Sequence, residues 1–440
     1  MKLNAAFSAA LVLAFIAVCL PASSANMVPF ETDGDELYVY TNYFTLKSKL
    51  DEMAQAHPDI AKVFSIGQSM EGNDMWCIEI GKFSDANYSE HPGFYLDATH
   101  HGDENRGTET AMFFIEFLLE NYGKNATANF IVENRRTYVT PMINPDGNIK
   151  FVRYNDNIVD LNRNYPHEWG ISAENQGASA GSEIEVQNNM AFISSHNLDC
   201  YFSLHTGTYD LVRPLCDVGG EYRGFRPEPD VVLYDTVCDK INGLIGMGYR
   251  GSSGTGESIA WAYGVKSVFS LLMEVCIDQD LPVAYEDARA KLADPLKACI
   301  FMAENADRMC AKLSVETVSN SGAEAVFKIK NEGFGPAINC TFGFAGNSIH
   351  VLEIGSGNIS EIKFPAEAAE SDSALSMEYV KIKGMKTQGG NEVGEVIVQS
   401  AYALSSDELK SAGGVSTPGF ELLALAAGLC MVLICRKRRR

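Results

Sequence analysis

From Tyr38 to about Leu313 the chain alternates short β-type runs with stretches of helical spacing, and this alternation constrains the fold more than any other feature. Thr45–His57 places Leu46, Leu50, Met53 and Ala54 on one helical face, and Thr108–Tyr122 reads as a strongly apolar helix. Ala61–Ile66, Met75–Ile80, Gly93–Ala98, Tyr138–Met142 and Asp199–Leu204 have strand character, with a helix over residues 181–196 before the last of them. Val231–Ile245 and Asp287–Lys312 are helical in pattern. Parallel strands need a crossover, usually a helix. This order therefore predicts an α/β domain over residues 26–312, a mostly parallel mixed sheet with helices on both faces.

Beyond Lys312 the pattern changes. Short alternating runs such as Ala325–Lys330, Ser348–Leu352 and Glu395–Val398 are separated by Gly, Asn and Ser clusters, which predicts a small all-β sandwich over residues 313–404. Residues 1–25 have a charged start, an apolar run from Ala5 to Leu20 and a small-residue exit, the layout of a secretory signal peptide. Residues 405–417 form a polar tether. Residues 418–440 carry a nearly uncharged run from Glu421 to Cys435 ahead of Arg436-Lys-Arg-Arg-Arg440. That run reaches about 22 Å as a helix, short of a hydrocarbon core of about 30 Å, and its basic end would stay on the cytoplasmic side. The chain is expected to be exported and held at the cell surface by this tail, as a membrane span or lipid anchor, with the α/β domain outside.

Charge removes a class of partner. With Lys2, the basic residues at 436–440 and Glu421 set aside, 29 basic and 56 acidic residues remain. So acidic a surface repels nucleic acid, because binding phosphates requires basic groups that release their counterions. None of the 11 cysteines forms a Cys-x-x-Cys pair, so no zinc knuckle is expected, and several sit in apolar runs, as Cys276 does, reading as buried thiols.

Histidine followed three residues later by an acid is a metal-ligand spacing, found at His100/Asp103, His101/Glu104, His196/Asp199 and His350/Glu353. Context sorts them. His101-Gly-Asp-Glu104 follows the strand ending at Ala98 and precedes a helix, so it lies at the carboxyl end of a sheet strand, where open α/β sheets place ligands. A zinc ion with an open position takes about three protein donors. His205, after the apolar run from Cys200, offers the third from another strand end. His196/Asp199 stands before that strand, on the wrong edge, and His350/Glu353 lies in the β region without a third donor.

Asp97-Ala-Thr-His-His101-Gly-Asp-Glu104, Asp160-Leu-Asn162-Arg163-Asn-Tyr-Pro166 and Ser203-Leu-His205, in that order, resemble the zinc metallocarboxypeptidases, the family of carboxypeptidases A, B and T. Tyr40–Phe83, Asn144-Pro-Asp-Gly147 and Ser258-Ile-Ala-Trp261 extend the likeness over residues 38–312. The resemblance implies one Zn2+ held by His101, Glu104 and His205, with Glu274 as the general base that takes a proton from the zinc-bound water. It implies that Arg153 stabilises the oxyanion and that Asn162 and Arg163 hold the substrate's terminal carboxylate, a task suited to a planar guanidinium fork. A fixed cation beside the metal selects a free carboxylate one residue past the scissile bond. The implied activity is therefore an exopeptidase acting on peptide or protein C-termini.

Tyr249 is the nearest candidate for the family's substrate-capping tyrosine, within a Gly-rich stretch, Gly248–Gly256, that reads as a hinged lid. Ile259 and Glu257 would set side-chain preference, expected to be apolar or mixed. Thr417-Pro418-Gly419-Phe420-Glu421 resembles the archaeal PGF sorting signal. A monomer is expected. Two alternatives stay open on the residues: a related zinc amidohydrolase that cuts cell-wall peptide amides, and a surface binding protein without catalysis.

Overall fold

A computed structural model describes residues 40–167, 169–170, 175–214, 230–251, 255–276, 285–320, 324–365, 374–383 and 396–403. The expected signal peptide, tether and sorting signal lie outside the described residues. Among the described residues no helix is long and apolar enough to cross a membrane. The chain divides into two compact units, residues 40–280 with 291–440, and residues 1–39 with 281–290. In the smaller one, residues 285–290 of helix α8 (Tyr285–Lys291) are described.

The larger unit is built on an eight-stranded mixed sheet. Its strands are β1 (Ala61–Gln68), β2 (Asp74–Ile80), β3 (Gly93–Ala98), β4 (Arg136–Thr140), β5 (Cys200–His205), β6 (Tyr209–Arg213), β7 (Gly248–Gly251) and β8 (Phe269–Val275), in the spatial order β1-β2-β4-β3-β5-β8-β6-β7. The central ladders β4–β3, β3–β5 and β5–β8 are parallel. The outer ladders β1–β2, β2–β4 and β8–β6 are antiparallel, and β6–β7 is parallel again. Every residue of β3 and β5 is buried, as strands covered by helices on both faces must be.

Alternate residues serve alternate faces. Tyr95, Tyr138 and Tyr201 join Phe192 of helix α5 (Ile184–Ser195) and Trp261 of helix α7 (Ser258–Lys266) in one core layer. On the other face Phe94 meets Phe114 of the apolar helix α2 (Asn105–Asn121) edge to face, ring centroids 5.9 Å apart. The remaining helices of this unit are α1 (Tyr43–Ala56), α3 (Ala126–Asn134), α4 (Pro145–Lys150), α6 (Val231–Ile245) and α9 (Ala293–Glu304).

Two local expectations change. The helical pattern read over Asp287–Lys312 is broken. Within this unit, α9 ends at Glu304 and a single turn spans Ala306–Arg308. Met309, Cys310 and Ala311 are buried where the next strand begins, so their apolar character belongs to a junction and not to a helix face. The start of the expected lid, Gly248–Gly251, is the edge strand β7, whose backbone is engaged by β6.

The β region forms two antiparallel sheets. One has the order β13 (Ile359–Pro365), β10 (Glu324–Asn331), β9 (Leu313–Asn320). The other runs β12 (Asn347–Ile354), β11 (Ala337–Phe344), β14 (Ala374–Ile382), β15 (Val396–Ala403). Ala325, Phe327 and Ile329 point inward from β10 and pack with Cys340, Phe342 and Phe344 of β11, the period-2 pattern of a sandwich core. The junction with the α/β part is specific. Phe301 of α9 stacks on Phe334 at 5.9 Å, and the Lys383 amide donates to Asp230 at 3.1 Å. Gly333 approaches so closely that a Cβ there would lie 1.9 Å from the Cys310 carbonyl oxygen.

Lys381 of β14 reaches Asp199, just ahead of β5, and the two side chains are only 18% and 17% exposed. Removing one partner of a fully buried pair costs about 3–5 kcal/mol. With some solvent reaching this pair, Lys381→Met is expected to lower stability by about 1–3 kcal/mol, read from urea denaturation of the full chain.

Candidate active site

The three central parallel strands end at the same sheet edge, and each delivers part of one cluster. β3 hands over to a turn carrying His100, His101 and Glu104; β5 ends in His205; and His205 pairs in register with Glu274 of β8. The turn is held tightly. Thr99, a β-branched residue at φ 58°, is pinned by its Oγ1 bond to Thr108 Oγ1 at 2.6 Å. The Asn144 side chain donates to the His100 carbonyl at 3.2 Å and to the Arg153 carbonyl at 3.3 Å. Gly102 packs on Gly147, where a Cβ would sit 2.1 Å from the Gly147 carbonyl carbon. These contacts explain why Gly102 and the Asn144-Pro-Asp-Gly147 segment accompany the donors.

His101 Nδ1 lies 2.6 Å from Glu104 Oε1 and 3.3 Å from His205 Nδ1, while His205 Nδ1 lies 3.0 Å from Glu104 Oε2. One donor atom from each residue falls within 4.8 Å of the others, and all three residues are buried. Two imidazoles and a carboxylate converging through single atoms in a water-poor site suit a zinc ion that keeps a position open. His101 turns Nδ1 inward because its Nε2 is held by Asp160 Oδ1 at 3.0 Å, the outer hydrogen bond that zinc-binding histidines characteristically make.

Asp160 also accepts from Arg153, through Nη2 at 2.7 Å and Nε at 3.1 Å. Arg153 Nη1 in turn lies 3.1 Å from His101 Nδ1, so the guanidinium borders the donors while remaining 37% exposed. Burial works against the charge on Asp160 and Glu104. The facing imidazoles outweigh it, with Arg153 adding to the effect on Asp160, and hold both carboxyls below the ordinary range. For Glu274 burial dominates and raises the pKa. Among the described residues its buried Oε2 has no hydrogen-bond partner.

Asp160 caps the turn Leu161–Arg163, accepting from the Asn162 amide at 3.0 Å. Asn162 is buried between two elements. Its Oδ1 takes the Ser258 amide of α7 at 2.9 Å, and its Nδ2 lies 3.4 Å from His205 Nε2. Arg163 is 23% exposed; its Nη1 donates to the Asn162 carbonyl at 2.8 Å and lies 3.4 Å from Oε1 of the buried Glu257. Ile259 is fully buried in the layer that holds Leu161 and Tyr165. The structure thus brings His101, Glu104, His205, Glu274, Arg153, Asn162, Arg163 and Glu257 together. Tyr249 stands two strands from β8, on the edge strand β7, with its hydroxyl donating to Asp239 of α6 at 3.0 Å.

Asp160 is the functional residue that sequence reasoning passed over. Its signal was present, an acid two positions before Asn162 in Asp160-Leu-Asn162-Arg163, but nothing in the order of residues shows that one carboxylate serves both a histidine and an arginine.

Residues 46–217 match the zinc carboxypeptidase family. Human carboxypeptidase D is 25% identical over 198 residues, which cover 43% of this chain and 14% of that protein. Carboxypeptidase SOL1 of Arabidopsis thaliana is 34% identical over 124 residues, 28% of this chain and 25% of that protein. Bovine carboxypeptidase B is 24% identical over 275 residues, 54% of this chain and 64% of that protein. The chain spans less than two thirds of each of these relatives. Among solved structures, thrombin-activatable fibrinolysis inhibitor superposes with a TM-score of 0.53 at 19% identity, over 61% of this chain and 74% of that one. Carboxypeptidase A from Helicoverpa armigera gives 0.50 at 18% identity, over 67% and 81%. At these identities the likeness is one of fold.

Asp160→Asn keeps the shape of the side chain and removes the charge that orients His101 and Arg153. Metal affinity is expected to fall about 10–100-fold, measured by chelator competition for Zn2+ in the full chain.

Proposed function

We propose, on the premise that this chain belongs to the zinc carboxypeptidase family, that it is a zinc-dependent carboxypeptidase removing single residues from the free C-termini of peptides, outside the cell and held at its surface by the tail. One observation supports the reading above all others. Asn162 touches metal-donor His205 on one side and carries the partly open guanidinium of Arg163 on the other, so a carboxylate-binding cation stands beside the donors.

Bound by His101, Glu104 and His205, zinc supplies a Lewis acid for the scissile carbonyl. The protein groups do the rest. Glu274, half-buried and with its inaccessible Oε2 unengaged among the described residues, accepts the proton of the attacking water, a role that its raised proton affinity favours. Arg153 presents Nη1 next to the donors, where it can face the oxygen that gains charge as the carbonyl is attacked. Asp160 holds that guanidinium from behind, so little reorganisation is needed during the reaction. Arg163 and Asn162 anchor the substrate's carboxylate, and the buried Glu257 keeps the Arg163 side chain from swinging away. Export and anchoring draw support from the terminal segments alone, and the acidic surface argues against nucleic-acid partners.

Single amino acids should be released from peptides with free C-termini, and C-terminal amidation should abolish release; an amidated peptide cut as fast as its free form would point to the amidohydrolase chemistry instead. Glu274→Gln is expected to lower kcat about 100- to 10,000-fold with zinc content unchanged. Arg163→Ala is expected to raise KM more than it lowers kcat. Because Glu274 works deprotonated and burial raises its pKa, kcat/KM should fall on acidification at a pH above the ordinary glutamate range. A pH–rate profile of the zinc-loaded enzyme checks this, and the residual activity of Glu274→Gln should lack that acid limb.

A further inference from the structure

Behind the donor cluster lies a second set of polar side chains that the reaction does not use. His100 is wholly buried, with its Nε2 2.9 Å from the Tyr165 hydroxyl and its Nδ1 facing Asp97 Oδ1 at 3.9 Å. Asp97 Oδ2 accepts from the Tyr201 hydroxyl at 2.7 Å and from Asn189 Nδ2 at 2.9 Å. Asn189 Nδ2 also donates to the Tyr165 oxygen at 2.8 Å, and Asn189 Oδ1 accepts from the Tyr95 hydroxyl at 2.9 Å. All of these side chains are inaccessible to solvent.

The bonds have a direction. Since the Tyr165 oxygen accepts from Asn189, its own proton is available to His100 Nε2. The ring hydrogen of His100 then sits on Nδ1 and faces Asp97 Oδ1 across 3.9 Å, a charge–dipole contact and not a hydrogen bond. Polar groups this deep cost free energy unless they are satisfied, and an apolar layer would fill the same volume more cheaply.

What the layer touches indicates its use. The His100 ring stacks on the His205 ring, with centroids 5.4 Å apart and planes 15° from parallel. The two histidine donors are otherwise unequally supported. His101 is braced by a carboxylate at 3.0 Å, whereas among the described residues His205 Nε2 meets only the Asn162 amide, at 3.4 Å, beyond the usual hydrogen-bond length. The missing support comes from the face of the ring. Tyr165, which holds His100, lies two residues after Arg163 and pairs through its amide with the Gly256 carbonyl at 2.9 Å, next to Glu257.

We propose that His100, held by the Tyr165 hydroxyl and facing the Asp97 carboxylate, is a positioning residue that sets the plane of His205 toward the donor cluster, and that it thereby ties the metal centre to the carboxylate-binding turn. The proposal rests on the zinc reading of the donor cluster.

The test uses the full chain as wild type, His100→Leu and Tyr165→Phe, with Zn2+ affinity by chelator competition, the visible spectrum of the Co2+-substituted protein, and thermal melting. His100→Leu should weaken Zn2+ binding about 10–100-fold and shift the Co2+ bands; Tyr165→Phe should do the same to a lesser degree, about threefold or more. If His100→Leu does not fold, Tyr165→Phe decides. Unchanged Zn2+ affinity and Co2+ bands with only a lowered melting temperature would make the layer plain packing and overturn the proposal. Wild type that binds no zinc would instead remove the carboxypeptidase reading, and this proposal with it.

Discussion

The parallel run of β3, β5 and β8 is the constraint on which the site depends. Strands that point the same way end on the same sheet edge, so the residues following β3 and those closing β5 and β8 converge without any long excursion of the chain. The register sets His205 against Glu274, one strand apart, and Ala98, the last residue of β3, against Leu204, which directly precedes His205. A slip of one residue in either ladder would turn one of these side chains to the opposite face of the sheet.

Convergence concentrates charge where water is scarce, and the arrangement around Asp160 is how the protein tolerates it. Glu104, Asp160 and Glu274 would repel one another in a low-dielectric pocket. Arg153 and the two imidazoles lie among the first two, and Asp160 shares itself between His101 and Arg153. Glu274 stays outside this pairing. Burial raises all three carboxyls; nearby positive charge outweighs it at Glu104 and Asp160 but not at Glu274, so their net shifts run in opposite directions. Such divergence is what the proposed roles require, two carboxylates that stay charged and one that exchanges protons.

The β-sandwich is fastened to the α/β part by polar and aromatic contacts, including an ion pair from β14 to the residue just ahead of β5. β5 starts next to this ion pair and closes in His205, so the sandwich contacts the strand that carries one of the converging histidines. This is a tighter relation than that of a separate module on a flexible linker.

The sequence by itself determined the α/β class and the sandwich that follows it, and it singled out His101, Glu104 and His205, which the structure brings within 4.8 Å of one another, because strand periodicity and a His-x-x-Glu turn at a strand end are local patterns. The end of α9 and the edge strand β7 were not legible, since apolar runs do not say which partner covers them. Only the tertiary structure decided that Asp160 braces both His101 and Arg153, that Tyr249 is engaged on α6, and that His100 lies against His205. The reason is distance along the chain. Asp160 and His101 are 59 residues apart, and an interaction between such residues exists only once the sheet has brought their backbones together.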